Sequence, residues 1–485
     1  MPELAFRSAT ELVNMLRRRE LSSRELLDVL LARIAKHGKA LNAVVALDEE
    51  RARSDAAAAD EELARGRARG PLHGLPMTIK DTFETAGLRT TAGAPELAKH
   101  VPTRDADAVA RLRRAGAIVF GKTNVPFMAG DWQSFNEVYG TTNNPWNAAR
   151  VPGGSSGGAA AAVATGETPL ELGSDIGGSI RVPSHWTGVC GHKPTWGIVP
   201  QRGHIPPPPG MIAPPDLNVC GPIARSVEDL SLALDVLAGP GALDAVGWRL
   251  ELPPARHTRL SEYRVTACFH DDAYPVDASV RTLLEAAVER LRRAGANVRV
   301  LEKPPFDLVA ARRAYDTLLL PLMAASFPPG ALAEFQKISD AAAPDDPSPF
   351  VATARAFTAR HTDWMVANEN RERLRAELHE AFREIDVLLL PVNQLPAIAH
   401  YHEPAMPLRT LTVNGKTIPY TDLLGWIAPA TMCKLPASVV PVGRTAEGLP
   451  VGIQIVGAHL EDRTTLDFAR RLAELTGGFT APPGF

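Results

Sequence analysis

Lysine, cysteine and long apolar runs are scarce in this 485-residue chain, and each scarcity excludes something. The four cysteines, Cys190, Cys220, Cys268 and Cys433, stand far apart. That spacing excludes a disulfide framework and a zinc ribbon, and it suits a reducing compartment, so the cytoplasm is the expected location. No run approaches the roughly 18 consecutive apolar residues of a spanning helix. The first residues, MPELAFRSATELVNML, lack the basic-then-apolar pattern of a signal peptide. Excess charge is missing too. With 52 Lys and Arg against 55 Asp and Glu, the net charge of −3 argues against nucleic-acid or membrane-surface partners. The 13 histidines show no metal-ligand spacing, so neither a metal nor an organic cofactor is expected.

Only ten of the 52 basic residues are lysine. In a chain that prefers arginine so strongly, a lysine inside apolar sequence asks for a chemical reason, because lysine is the one that can lose its proton near neutrality. Lys80 is such a residue, closing the apolar run GLPMTIKD.

Short apolar runs alternate with helical periodicity along the chain: AIVF at 117–120, PLELGSD at 169–175, VLLLPV at 387–392 and VGIQIVG at 451–457. This alternation predicts an α/β fold, a single α/β/α sandwich around a large, mostly parallel mixed sheet. Residues 1–65 read as two amphipathic helices packing on the core, the first opened by a capping box from Ser8 to Glu11. Two long loops stand out as possible pocket walls, 205–215 (IPPPPGMIAPP) and 394–421, while AAAPDDPSPF at 341–350 reads as a solvated linker between helices.

Two motif matches fail on context. GAIVFGKT at 116–123 fits the phosphate-loop pattern, but its centre reads as a buried strand and Pro126 comes too early for the helix that the chemistry needs. GGSSG at 153–157 fits a nucleophile elbow, the mark of an α/β-hydrolase esterase, yet loop sequence precedes it. Among the later histidines, His185, His192, His204, His257 and His459, none stands out as its partner.

A third grouping has more chemical content. Lys80 ends a strand, Ser155 lies in GGSSGGAAAAVATG, and Ser179 lies in GSDIGGSIRVP. An unprotonated lysine can activate a serine without histidine. The run Ile176-Gly177-Gly178-Ser179 would offer backbone N–H groups with few side chains around them, as an oxyanion hole requires.

At these residues the chain resembles the amidase signature family. The likeness is carried by GLPMTIKD (74–81), GAIVFGKTNVPF (116–127), NPWNAARVPGGSSGGAAAAVATG (144–166), LGSDIGGSIRVPSHWTGVCGHKPT (172–195), GPIARSVEDL (221–230) and LPVGIQIVG (449–457). It extends over almost the whole chain, which reads as one amidase domain at 1–485, with the signature core at 70–230 and a substrate-loop region at 390–432. The resemblance implies a Ser–cis-Ser–Lys triad: Ser179 as acylated nucleophile, Ser155 as proton relay after a cis Gly154–Ser155 peptide, and Lys80 as base. It places the oxyanion hole on the amides of Ile176, Gly177, Gly178 and Ser179.

The implied activity is amidase chemistry through a serine acyl-enzyme on a small, apolar or aryl amide or carbamate, as in a stand-alone aryl acylamidase, with urethanase or esterase side activity. Met128, Trp132, Phe135, Tyr420, Trp426 and Ile427 are the candidate substrate contacts. Family members often pair, so a homodimer is possible. The competing reading is a glutamine-hydrolysing component of an amidotransferase. The apolar run Ala430-Thr431-Met432-Cys433 counts against an amino-acid pocket.

Overall fold

The structure is a computed structural model that describes residues 2–325, 327, 329–346 and 348–485. Eleven strands form its main sheet: β1 Val44–Leu47, β2 Pro76–Lys80, β3 Ile118–Thr123, β4 Leu170–Asp175, β5 Cys190–Lys193, β6 Val219–Ala224, β7 Arg264–Ala267, β8 Asn297–Val300, β9 Val387–Pro391, β10 Ala437–Arg444 and β11 Pro450–Gly457. Their order is β1-β3-β2-β4-β6-β5-β10-β11-β9-β7-β8. Helices cover both faces, so the expected large mixed sheet between helical layers is present. Parallel pairing falls in two blocks, β3-β2-β4 and β9-β7-β8. Antiparallel pairs join the blocks through the centre and add β1 at one edge.

The central strands are buried along nearly their whole length, which explains their continuous apolar sequence. The phosphate-loop look-alike is β3, a fully buried strand followed by loop. Ser8 caps the helix Ala9–Arg17 through the expected capping box, and Leu12, Val13 and Leu16 enter the core. Beyond it the N-terminal region is richer than two helices. Asn42, in the left-handed region at φ 52°, ends Ser23–Leu41, and strand β1 intervenes before a further helix at Glu49–Ala64. The stretch read as one long loop at 394–421 contains a hairpin, Thr410–Val413 with Lys416–Pro419. The linker at 341–350 joins the helices Pro329–Ala341 and Pro349–Phe357, and its Pro347 lies outside the described residues.

Two features place the site. Lys80 and Asp175 are the last residues of β2 and β4, parallel neighbours, so both arrive at the same end of the sheet, where α/β folds bind ligands. The Gly- and Ala-rich helix Gly157–Ala164 is buried throughout, and its small residues let Ser155 and Ser156 approach that strand end closely. Among the described residues no helix is long and apolar enough to cross a membrane.

Candidate active site

Lys80 is fully buried, with its amine 2.7 Å from Ser155 Oγ and 2.9 Å from Ser174 Oγ. Burial pushes its pKa from 10.5 down to about 7, against the opposing pull of Asp175, Cys220 and Glu171. Glu171 does little to restore the charge, because burial raises its own carboxyl to about 7. The peptide between Gly154 and Ser155 is cis. Gly154 has no room for a side chain: a Cβ would lie 2.5 Å from the Asp131 carbonyl oxygen and 2.7 Å from the Trp132 carbonyl carbon. Ser179 is nearly buried, and its carbonyl accepts the Ser156 N–H at 3.2 Å, joining the two serine segments beside Lys80.

The loop 176–179 is held from three sides. Asp175 Oδ1 accepts the Gly178 N–H at 2.9 Å, and Oδ2 accepts the Ile180 N–H at 3.1 Å. Trp132 donates its indole N–H to the Gly177 carbonyl at 2.7 Å, and the Tyr315 hydroxyl donates to the Ile176 carbonyl at 2.6 Å. With these carbonyls turned outward onto clamps, the amides of Ile176, Gly177 and Ser179 meet no acceptor among the described residues. The Gly178 amide is a correction to the expected oxyanion hole, because Asp175 already accepts its hydrogen.

Asp175 is itself paired. Arg181 meets both its oxygens, at 3.0 and 2.9 Å, and both side chains are fully buried. Burial would raise the Asp175 carboxyl, but the Arg181 charge and hydrogen bonds outweigh it and hold the group at about 2. Arg181 continues to Gln454 of β11, to Thr431 and to the Ile427 carbonyl. Thr431 therefore faces a buried arginine, and the run Ala430–Cys433 packs in the core, where it carries no information about a substrate pocket.

The candidate substrate contacts separate into groups. Trp426 is a core residue, fully buried with its indole N–H on the Tyr274 carbonyl. Ile427 is buried against Gly178, where a Cβ would come within 2.3 Å of Ile427 Cδ1, so it shapes the loop from behind. Tyr420 is buried and donates to Asp131 Oδ1 at 2.7 Å, while Arg409 holds Asp131 Oδ2 at 2.5 Å. Trp132 stacks obliquely on Tyr420 at 5.3 Å and clamps Gly177. Met128 and Phe135 are half-buried on the same segment as Trp132, and Phe135 lies flat on His402 at 3.8 Å.

The sequence reading missed Ser174, Asp175, Arg181, Tyr315 and His204. His204 sits beneath the lysine, its Nε2 2.8 Å from Ser174 Oγ and its Nδ1 3.0 Å from the Pro206 carbonyl. Nothing local marked Ser174, which shares its strand with Glu171 and Asp175, and nothing local marked Tyr315 or His204.

A sequence model of the amidase family matches residues 25–466. The chain belongs to the amidase family. Among relatives, this amidase is 35% identical to a glutamyl-tRNA(Gln) amidotransferase subunit from Roseiflexus castenholzii (strain DSM 13941 / HLO8), over 97% of this chain and 96% of the relative. Among solved structures it superposes on an amidase with a TM-score of 0.77 at 31% identity, covering 97% of this chain and all of the other. A bacterial aryl acylamidase of the amidase signature family gives a TM-score of 0.79 at 25% identity, covering 97% and 96%. The fold is thus that of an amidase signature hydrolase.

Proposed function

We propose that this amidase hydrolyses a small, apolar or aryl amide or carbamate through an acyl-enzyme on Ser179, with Ser155 as relay and Lys80 as base. The observation that carries the reading is the buried Lys80 amine, half neutral near pH 7 and in contact with Ser155. Neutral Lys80 takes the proton of Ser155, which takes that of Ser179 as Ser179 Oγ bonds to the substrate carbonyl carbon. The carbonyl electron pair moves to oxygen, which meets the amides of Ile176, Gly177 and Ser179. As the C–N bond breaks, the nitrogen leaves with the proton returned through Ser155. Water then adds to the ester, gives its proton to the same relay, and the C–O bond breaks to release the acid and restore Ser179.

The apolar substrate class is supported by the charges around the Trp132 segment. Asp131 and Arg409 neutralise each other, and Asp175 and Arg181 do the same, which leaves these four without a free charge for an amino-acid substrate. Met128 and Phe135 are the wall residues that remain. A second reading has its own support: the relative from Roseiflexus, matched over nearly its full length, is one component of a glutamyl-tRNA(Gln) amidotransferase. For this chain that would mean glutamine as amide donor and further subunits as partners in place of a homodimer.

A substrate panel on the purified protein separates the readings: anilides, aliphatic amides, glutamine, aryl esters and aryl carbamates. Preference for an anilide or carbamate by roughly 10- to 100-fold in kcat/KM supports the proposal. Hydrolysis of glutamine alone, stimulated by added amidotransferase subunits, overturns it. A serine-directed fluorophosphonate that fails to label Ser179 removes the catalytic assignment altogether.

A further inference from the structure

Lys80 has two hydroxyl neighbours at nearly equal distance, Ser155 at 2.7 Å and Ser174 at 2.9 Å. A neutral amine has one lone pair. Catalysis by the proposed route needs that lone pair to receive the Ser155 proton, yet Ser174 is close enough to donate to it instead. Something must decide between them.

The His204 ring provides the decision. Its Nδ1 lies 3.0 Å from the Pro206 carbonyl, an acceptor only, so Nδ1 carries the hydrogen in the neutral ring. Nε2 is then an acceptor, and the only hydrogen at its 2.8 Å contact is that of the Ser174 hydroxyl. With its hydrogen committed to His204, Ser174 can only accept from Lys80. The ring cannot readily turn away, because it packs edge-on against Phe83 at 4.9 Å and is almost entirely buried. Burial, and after it the Lys80 charge, lowers the His204 pKa to about 3, which keeps the ring neutral.

We infer that His204 is a positioning residue that fixes the direction of the Ser174 hydroxyl, so that Ser174 accepts from Lys80 and the lysine lone pair is left to Ser155. The order of the chain of hydrogen bonds is then Ser155 to Lys80, Lys80 to Ser174, Ser174 to His204, and His204 to Pro206. This rests on the reading of Lys80 as the base of a serine hydrolase.

The test compares His204→Phe, His204→Gln, Ser174→Ala and the double variant His204→Phe/Ser174→Ala in the full chain. The readouts are anilide turnover and the rate of fluorophosphonate labelling. His204→Phe removes the acceptor and is expected to lower both rates roughly 10- to 100-fold, mainly in kcat. His204→Gln, whose amide oxygen can accept from Ser174, is expected to recover most of that loss. In the Ser174→Ala background, where no hydroxyl is left to misdirect, His204→Phe should have little further effect. Equal losses from His204→Phe with and without Ser174, or no recovery with Gln, would overturn the inference and leave a packing role only. If His204→Phe does not fold, Ser174→Ala against His204→Gln still decides it, since a rate for His204→Gln well below that of Ser174→Ala contradicts the arrangement. Failure of the underlying reading looks different: the unaltered protein itself would not label at Ser179.

Discussion

Titrating amide hydrolysis between about pH 5 and pH 10 addresses the Lys80 assignment most directly. With an ordinary pKa of 10.5, roughly one lysine in 3,000 is neutral at pH 7, whereas at about 7 half of the molecules hold a neutral base. Burial therefore raises the competent fraction by more than about a thousandfold. The expected profile of log kcat/KM rises with a slope of one up to about pH 7 and is level above it. Lys80→Met should remove this limb together with the activity. A limb centred above roughly pH 9, or an unchanged limb in Lys80→Met, would refute the argument that desolvation tunes this amine.

Stability supplies an independent reading of the same group. The folded pKa lies below the unfolded one, so between about pH 7 and 10.5 the unfolded chain binds more protons and stability rises with pH. Below about 7 the penalty is fully present, with an upper limit of ~5 kcal/mol at about 1.4 kcal/mol for each tenfold change in acidity. The lost contacts to Ser155 and Ser174 offset part of it. Lys80→Met is thus expected to be more stable than the unaltered chain at pH 7, by about 1–3 kcal/mol in urea unfolding, with the advantage shrinking towards pH 10. A less stable variant at pH 7 would mean that the amine is better solvated than its burial implies.

Three further expectations follow from contacts in the site. Gly178 sits at φ 86° with Ile427 Cδ1 in the place of a Cβ, so Gly178→Ala should lower kcat by about a hundredfold or more, and Ile427→Ala in the same chain should recover part of it. Gly154→Ala meets backbone atoms of residues 131 and 132 instead of a flexible side-chain end, so no single neighbouring truncation should rescue its loss of anilide turnover. Arg181→Leu strands the buried Asp175 carboxylate and is expected to lower unfolding free energy by about 3–5 kcal/mol, measured in urea; a change under about 1 kcal/mol would show that Asp175 has another source of compensation.

What could be read from sequence followed the range of the interaction. Lys80 was conspicuous because a charged residue closed a mostly apolar run, and Ser155 and Ser179 because small residues crowded around them. These are local signals. The clamps on the loop 176–179 from Trp132 and Tyr315 join residues far apart in the chain, and their partners are set by how strands and helices pack, which no short window records. Two of the aromatic candidates were ambiguous for a related reason. Tyr420 and Trp426 carry polar atoms that must be satisfied when buried, so each reads equally well as pocket wall or core, and their hydrogen bonds to Asp131 and to the Tyr274 carbonyl place them in the core. The alternation of strands and helices gave the sheet and its layers, but a strand buried on both faces has no period of two to reveal the direction of its neighbours.

The proposed base and the proposed oxyanion frame also depend on one another through a single strand. Ser174 and Asp175 are consecutive on β4, and consecutive strand residues point to opposite sides. One therefore reaches Lys80 and His204, while the other turns to Gly178, Ile180 and Arg181. The register that achieves this is fixed on both edges of β4, with Ile79 opposite Leu172 on the parallel side and Ser174 opposite Cys220 on the antiparallel side. A shift by one residue would carry a carboxylate towards the lysine and a hydroxyl towards the loop. Coulombic attraction would then hold the amine protonated, and the loop would lose the acceptor that orders its amides. Ser174 and Asp175 therefore bind the amine and order the glycine loop from adjacent positions, which is why both stand at the end of one shared strand.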